Sequence, residues 1–504
     1  MECDGIPTRK SYFISTALFL RLLGSIYLVA FVSLWTQVIG LIGSAGIVPI
    51  ASYLERAHVQ LGSEAYWKLP TLLWLGANDS ALHVWCALGS VLALYAIVFP
   101  FTAFLWLLLW GLYLSLVIGG QVFLSFQWDV LLLEVGLLTV LLVPLDLRPR
   151  LRCSTPPPPF VRWALWWLLC RFMLLSGLVK IASGDEVWRD LTALEFHYMT
   201  QPLPPWTAWF VHHLPPWLHR ASTVIMFFVE LIVPLLLFWP RRLRIIAAVL
   251  LISLQVVIIA TGNYGFFNIL TIALSLLLLD DGIFALVERW WRRRRGEGLA
   301  ASASVQANVC RWPLWLAALL LAALFLLSLP PTLQTVMRTF GVSTQGLAEL
   351  TAPIETYTRP FRSVNGYGLF ADMTTERPEI IIEGSNDGQT WKPYGFKYKP
   401  GDLRRRPTFV APHMPRLDWQ MWFAALGDVR FNQWFVNLCV RLLEGNAVVL
   451  DLLETNPFPD APPRHIRALL YDYDFSSLEE RAETGNWWTR KLVRPYFGPI
   501  SLRQ

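Results

Sequence analysis

Long apolar runs alternate with short polar or basic connections over roughly the first 330 residues of the chain. An α-helix needs roughly 20 mostly apolar residues to cross a bilayer, and about nine runs meet or approach that length. These runs cover residues 13–34, 82–99, 101–118, 130–144, 163–182, 221–239, 243–260, 266–280 and 312–329. The pattern predicts a polytopic α-helical membrane protein with about nine transmembrane helices.

The pattern changes after residue 330, where polar residues interrupt the apolar ones. EIIIEG at 379–384 is typical of a strand, and the following Asp387-Gly388 is a turn signal. Further strands are predicted at 394–398, 407–411, 419–425 and 467–475. Apolar positions in 431–443 recur at helical spacing. We predict a C-terminal β-sandwich-like α+β domain. The domains are 1–330, which is transmembrane with loops 35–81 and 183–220, and 331–504.

Composition and charge place this chain in a membrane and suggest its orientation. Hydrophobic residues make up 55% of the chain and charged ones 15%, against about 25% charged in globular domains. Arginine-rich connections at 145–162, 240–244 and 288–311 fall on one side if nine helices alternate, and loop 183–220 falls on the other. Because basic loops stay in the cytoplasm, we predict a cytoplasmic N-terminus and an extracytoplasmic C-terminal domain.

Several charged residues lie within the predicted helices, where charges are costly and often pair with one another. Arg21, Arg171 and Glu230 each lie about 12–14 Å from the cytoplasmic helix ends, by helical rise. We predict that they form one cluster joining three helices. Glu134 and Lys180 form a second predicted layer near the outer face.

Lys180 has three possible roles by sequence. Its long side chain is able to extend toward the membrane–water interface, or to form a structural ion pair with Glu134 or Asp129. It is also able to act as a general base after partial desolvation. We predict a structural role, with catalysis by Lys180 as the alternative.

Other signals of chemistry are missing from the sequence. There is no GxSxG elbow, phosphate-binding glycine loop or HExxH helix. The spacing of His197, His212 and His213 matches no metal cage. We therefore predict no metal site, no cofactor and no nucleic-acid partner, and favour a non-enzymatic protein.

Several stretches, taken in order, resemble the lipase maturation factor family. They include LWTQVIGLIGSAGIVP (34–49), QVFLSFQWDVLLLEVG (121–136), SGLVKIASGDEVWRDLTALEFHYMTQPLP (176–204), WFVHHLPPWLHR (209–220) and IATGNYGFFNILT (259–271). The C-terminal stretches are PFRSVNGYGLFADMTTERPEIIIEGSNDGQTW (360–391) and NPFPDAPPRHIRALLYDYDF (456–475). The resemblance spans nearly the whole chain.

This resemblance implies a polytopic membrane protein that helps secreted proteins such as lipases reach an active, assembled state. Its partners would be those clients and membrane lipids. It would lie in the endoplasmic reticulum membrane of a eukaryote or the inner membrane of a bacterium. The family supplies no catalytic residues to carry over.

A shorter stretch, from Gly177 through Lys180 to Trp188, is similar to part of the vitamin K-dependent carboxylases. That similarity implies a lysine acting as a base in the membrane region. It supplies the alternative function, a membrane enzyme that uses Lys180.

Residues 359–504 of the C-terminal domain are the predicted client-binding platform, because the topology places them where secreted proteins fold. Trp487 and Trp488 are adjacent, and neighbouring side chains on a strand point to opposite faces. We therefore predict that at least one of them is exposed, either as an anchor for clients or resting on the membrane surface.

Overall fold

A computed structural model describes residues 11–145, 157–285 and 312–502. Each of the nine predicted apolar runs contains a helix. We number the helices of the membrane region in chain order, including the short ones between them. They are α1 (Phe13–Trp35), α2 (Val38–Ile42), α3 (Ile50–Leu61), α4 (Glu64–Lys68), α5 (Asp79–Val98), α6 (Ala103–Gly119), α7 (Gln127–Leu142), α8 (Pro159–Ala182), α9 (Glu186–Arg189), α10 (Ala193–Thr200), α11 (Trp206–His212), α12 (Pro216–Phe227), α13 (Arg241–Thr261), α14 (Phe267–Leu276) and α15 (Leu314–Thr339).

Six helices of the described ranges are long and apolar enough to cross a membrane. They are α1, α5, α8, α13, α15 and the helical segment Pro216–Phe238, which begins with α12. Helices α6 and α14 are apolar but shorter. At 1.5 Å per residue, the ten residues of α14 extend only about 15 Å, half of the hydrocarbon core. The prediction of about nine spans is thus not confirmed. Residues 146–156 and 286–311 lie outside the described residues, and they hold most of the predicted basic connection 145–162 and all of 288–311.

Short helices form the two predicted outer loops. Helices α2 to α4 follow α1, and α9 to α11 connect α8 to α12. The predicted domain boundary at residue 330 falls inside α15, which continues through Pro330 and Pro331 to Thr339. A further helix, α16 (Gln345–Thr358), precedes the C-terminal region.

Up to residue 502, the C-terminal region contains six strands: β1 (Arg377–Ser385), β2 (Lys392–Pro393), β3 (Gly395–Phe396), β4 (Leu453–Thr455), β5 (His465–Phe475) and β6 (Trp488–Ile500). Four of them form an antiparallel sheet in the order β2-β1-β5-β6, and β3 pairs with β4. The inward face of β1 carries Ile380 and Ile382, both fully buried. A β-sandwich is not confirmed.

The C-terminal helices are α17 (Arg416–Ala425), α18 (Gln433–Leu443), α19 (Ala447–Leu450) and α20 (Leu478–Thr484). The predicted strand at 419–425 is wrong, because these residues belong to α17. The segment 407–411 is not a strand either. A short, continuous apolar run such as WQMWFAA does not distinguish a buried strand from a buried helix by its period. Nearly all of α17 is buried, which explains why apolar residues occupy most of its positions.

The membrane helices and the C-terminal region share one hydrophobic core. This core includes buried residues of α1 as well as residues of β5 and β6. Polar contacts reinforce it. Gln37, just after α1, donates to the Met414 carbonyl at 2.8 Å and accepts from the Arg416 backbone at 2.9 Å. The Ser33 hydroxyl accepts from the Met414 backbone at 2.9 Å. The C-terminal region is therefore packed directly on the membrane helices.

Candidate functional site

An ion pair with Glu230 holds Lys180 inside the protein. The Lys180 Nζ donates to Glu230 Oε2 at 2.8 Å and to the Ser176 carbonyl oxygen at 2.9 Å. Lys180 and Glu230 are only 5% and 8% exposed. The Trp188 ring covers the ammonium group, with 5.4 Å between Nζ and the ring centroid. Lys180 therefore does not extend to the membrane surface.

The backbone at Glu230 is shaped by Pro234. A proline has no N–H group and clashes with the carbonyl of the residue four positions earlier, which here is Glu230. The segment Phe228–Ile232 accordingly forms a π-helical turn, a feature frequent at functional sites. Gly177 lets α8 approach this turn, because a Cβ there would lie 2.7 Å from the Leu231 side chain.

A second buried pair joins Arg171 of α8 to Glu134 of α7. Tyr367 donates its hydroxyl to Glu134 Oε2 at 2.7 Å, and Arg171 Nη1 donates to the Asn365 carbonyl at 2.7 Å. The segment that follows α16 thus contributes to an ion-pair cluster among the membrane helices. No sequence pattern in this segment, taken alone, predicts that contact.

Glu134 and Glu230 each pair with a different basic residue from the one predicted. The predicted cluster of Arg21, Arg171 and Glu230 is wrong, since Arg171 binds Glu134 and Glu230 binds Lys180. Arg21 donates to a carbonyl one turn earlier in its own helix. Depth counting failed for two physical reasons. Helix α8 begins at residue 159 rather than 163, and a π-helical turn does not have the rise of a regular helix.

A third buried pair ties α7 to α17. Both Nη atoms of Arg416 donate to the Asp129 carboxylate, at 2.6 and 2.8 Å, and the Tyr113 hydroxyl donates to it at 2.6 Å. Asp129 and Arg416 are 0% and 1% exposed. Asp129 is thus unavailable to Lys180, contrary to one predicted pairing.

A cavity of about 390 Å³ adjoins the Lys180–Glu230 pair. Apolar side chains of α8, the Pro216–Phe238 segment, α13 and α14 form most of its wall. Its polar lining includes Gln255, whose Oε1 accepts from Asn268 Nδ2 at 2.7 Å. His197 Nε2 lies 3.1 Å from the Tyr264 hydroxyl. The volume lies within the roughly 300–1,000 Å³ of typical ligand pockets.

Electrostatics keep His197 neutral. Burial, and secondarily the charge of Lys180, lower the pKa of His197 to about 4. The imidazole is therefore uncharged at neutral pH. Since Lys180 and Glu230 carry opposite charges, the polar end of the cavity has no net charge from these three groups. Lys180 already donates to a carboxylate and a carbonyl, so a role as general base would require breaking the ion pair.

The tryptophan pair does not provide an exposed anchor. Trp487 and Trp488 are 7% and 2% exposed, so the prediction that one is exposed is wrong. Strand β6 begins only at Trp488, and strand alternation does not apply to Trp487. Trp487 stacks against Arg481 and packs on Trp209, while Trp488 packs on Phe475.

Sequence reasoning missed most of the cavity's polar lining and both C-terminal contributions to the buried pairs. The missed residues are Gln255, Tyr264, Asn268, Asn365, Tyr367 and Arg416. Tyr264 and Asn268 lie in the stretch 259–271, and Asn365 and Tyr367 in the stretch 360–391, both of which carry the family resemblance. Among the described residues, no group of three or more His, Cys, Asp and Glu side chains could hold a metal ion.

Comparison with known families finds two matches. Residues 14–286 match a family model described as "Lipase maturation factor transmembrane domain", and residues 363–498 match "Lipase maturation factor C-terminal domain". The first range contains Lys180, Glu230 and most of the cavity wall. The second contains the residues of β1 to β6 up to Gly498.

Individual relatives agree over nearly the whole chain. Lipase maturation factor 2 of Mus musculus is 37% identical, over 96% of this chain and 83% of the relative. Lipase maturation factor 1 of Bos taurus is 37% identical, over 99% of this chain and 92% of the relative. Lipase maturation factor 1 of Homo sapiens is 36% identical, over 98% and 89%. The comparison with solved structures finds no match.

Proposed function

The chain belongs to the lipase maturation factor family, and on that premise we propose that its clients are secreted proteins such as lipases. It is an integral membrane protein with a maturation function of the lipase maturation factor type. The observation that carries the client proposal is the similarity over 96–99% of this chain to proteins named for lipase maturation.

The test is co-expression with a secreted lipase in cells that lack their own lipase maturation factors. Full-length protein should raise secreted lipase activity per amount of lipase protein. A matched control is a secreted reporter enzyme that needs no assembly, whose activity should not change. Equal lipase activity with and without the full-length chain would contradict the client assignment.

The client-facing side is proposed to be extracytoplasmic, with the N-terminus in the cytoplasm. The arginine-rich connections support this orientation. The membrane is the endoplasmic reticulum in a eukaryote and the inner membrane in a bacterium. In bacteria, an alkaline phosphatase fused after residue 502 should be active, whereas a fluorescent protein that folds only in the cytoplasm should stay dark. The reverse result would overturn the orientation.

Clients are proposed to bind at the free edge of β6, since Trp487 and Trp488 are buried. Strand β6 ends the sheet order and pairs only with β5 in the described sheet. Leu492 and Val493 on this strand are 53% and 54% exposed. An exposed strand edge binds extended segments through backbone hydrogen bonds. Nearby basic residues, including exposed Lys491, favour client segments that carry acidic residues.

A Val493→Glu substitution tests the edge in the full-length chain. It should lower client maturation while leaving the amount and melting temperature of the protein unchanged, because it places a negative charge where an acidic segment would bind. The matched control is Leu478→Glu, since Leu478 is 61% exposed on α20 of the same region. Equal effects of the two substitutions would contradict binding at β6.

A second candidate function is a membrane enzyme that uses Lys180 as a base, favoured by the position of Lys180 on the cavity wall. We expect Lys180→Arg to keep client maturation, because arginine preserves the ion pair with Glu230. An arginine stays protonated and could not act as a base. Abolished maturation at normal protein level would favour the enzyme.

A further inference from the structure

The cavity beside Lys180 opens sideways, through the wall of the membrane bundle. Ile225 on α12 and Val257 on α13 both line it and are 61% and 56% exposed. Both lie in segments that are long and apolar enough to cross a membrane. An exposed apolar rim on such helices faces acyl chains, so a lipid-soluble molecule can reach the cavity from within the bilayer.

Part of the cavity lining is polar and buried. Glu230, Gln255 and Asn268 are each at most 8% exposed, and all three line the same cavity as Lys180. Buried polar groups are favourable only when hydrogen-bonded. Hydroxyl groups of a ligand can donate to the carboxylate and amide oxygens here, and their own oxygens can accept from the amide or ammonium groups.

The charge of the cavity lining determines which polar head groups of a lipid can bind there. The Lys180–Glu230 pair is already neutral as a unit at a distance of 2.8 Å. A charged head group would lose its hydrating water on entering the cavity, and the cavity offers no unpaired opposite charge to replace that water. This loss is costly in a low-dielectric site. An uncharged head group avoids this cost.

We propose that this cavity binds an uncharged single-chain amphiphile of the monoacylglycerol class, with its hydroxyl groups at Glu230, Gln255 and Asn268. Its acyl chain lies along the apolar wall and leaves between α12 and α13. This site is independent of the client assignment, since it is argued from the membrane helices alone.

The experiment uses the full-length protein in phospholipid nanodiscs and a photoreactive monoacylglycerol. Labelled residues are located by mass spectrometry of the digested protein. We expect saturable labelling on α8 and α13 at residues lining the cavity. Unlabelled monoolein should compete, and oleate at pH 8 should compete less well. Unsaturable labelling, or stronger competition by oleate, would overturn the proposal.

Two substitutions on α13 provide a matched pair. Val257 lines the cavity and is 56% exposed, whereas its neighbour Val256 is 53% exposed and lies outside the lining. Val257→Trp should lower saturable labelling about tenfold, the equivalent of about 1.4 kcal/mol in binding free energy, because the larger side chain fills space at the rim of the cavity. Val256→Trp should label like the unchanged protein. Equal labelling of both variants would overturn the site.

A third substitution tests the position of the head group. Glu230→Gln keeps the shape of the side chain but leaves the charge of Lys180 uncompensated. Oleate should then compete better than monoolein. An unchanged preference, in protein that still labels saturably, would show that the head group does not lie at the ion pair and would overturn that assignment.

Discussion

Replacing Asp129 by asparagine should strongly destabilise the contact between the membrane helices and the C-terminal region. The substitution keeps an oxygen that can accept from Tyr113, but it removes the charge that faces Arg416. Both partners are almost fully buried, at 0% and 1% exposed. Breaking such a pair costs about 3–5 kcal/mol, because the remaining charge is buried without compensation. The unfolding equilibrium constant should therefore rise by roughly two to three and a half orders of magnitude.

Unfolding of the detergent-solubilised full-length chain by increasing SDS measures this change. Tryptophan fluorescence is a suitable signal, because Trp128 and Trp419 lie next to the pair, with ring centroids 4.8 Å apart. The matched control is Asp428→Asn, which breaks an exposed pair with Arg430 and should leave the transition unchanged, as exposed pairs contribute little.

A double substitution separates lost charge compensation from lost packing. Asp129→Leu combined with Arg416→Met replaces the pair by apolar side chains, which is often neutral or stabilising for buried pairs. It also leaves the buried Tyr113 hydroxyl without its acceptor, at a cost of about 1–3 kcal/mol. The double variant should therefore recover part of the stability lost in Asp129→Asn. The reasoning would be refuted if Asp129→Asn unfolds like the unchanged protein, or if the double variant is less stable than Asp129→Asn.

Three further predictions concern stability in detergent. The pKa of His413 is lowered from 6.5 to about 4 by burial and by nearby cations. The unfolded chain therefore binds the proton more readily, and the free energy of unfolding should fall as pH drops from 6.5 toward 4. His413→Gln should reduce this dependence on pH. An unchanged dependence would contradict its assignment to His413. Gly177→Ala should lower the free energy of unfolding by about 1–3 kcal/mol through overpacking. Gly111→Ala should not, because a Cβ at Gly111 has no neighbouring atom within 4 Å. Equal melting temperatures of the two variants would contradict the close approach at Gly177. Tyr367→Phe removes a hydrogen bond to a buried carboxylate and should cost about 1.5–3 kcal/mol in SDS unfolding; an unchanged transition would show that this bond adds no stability.

The sequence by itself determined the positions of the apolar helices of the membrane region and of strands β1 and β5, but not of β6, the longest strand of the described residues. Apolar runs such as 13–34 predict α1 within a residue or two, because a helix that faces lipid and core must be apolar on nearly all sides. The alternating pattern of 467–475 likewise predicts β5, since one face of that strand is buried. The family was also recognisable from short stretches distributed along the chain.

Only the tertiary structure decided which charges pair. Arg171, Lys180, Glu134 and Glu230 were all identified as intramembrane charges, yet their partners were predicted wrongly. Pairing depends on the rotation and relative depth of packed helices, which the π-helical turn at Phe228–Ile232 alters without changing the apolar pattern.

The tertiary structure also decided what the C-terminal region contributes to the site. Asn365, Tyr367 and Arg416 reach membrane-helix residues that are more than 190 positions away in the chain. Hydrophobic periodicity reports only whether a residue is buried, not against which distant residue it packs. Contacts of that kind arise from the packing of the whole chain, so the cavity and its neutral polar end became visible only in three dimensions.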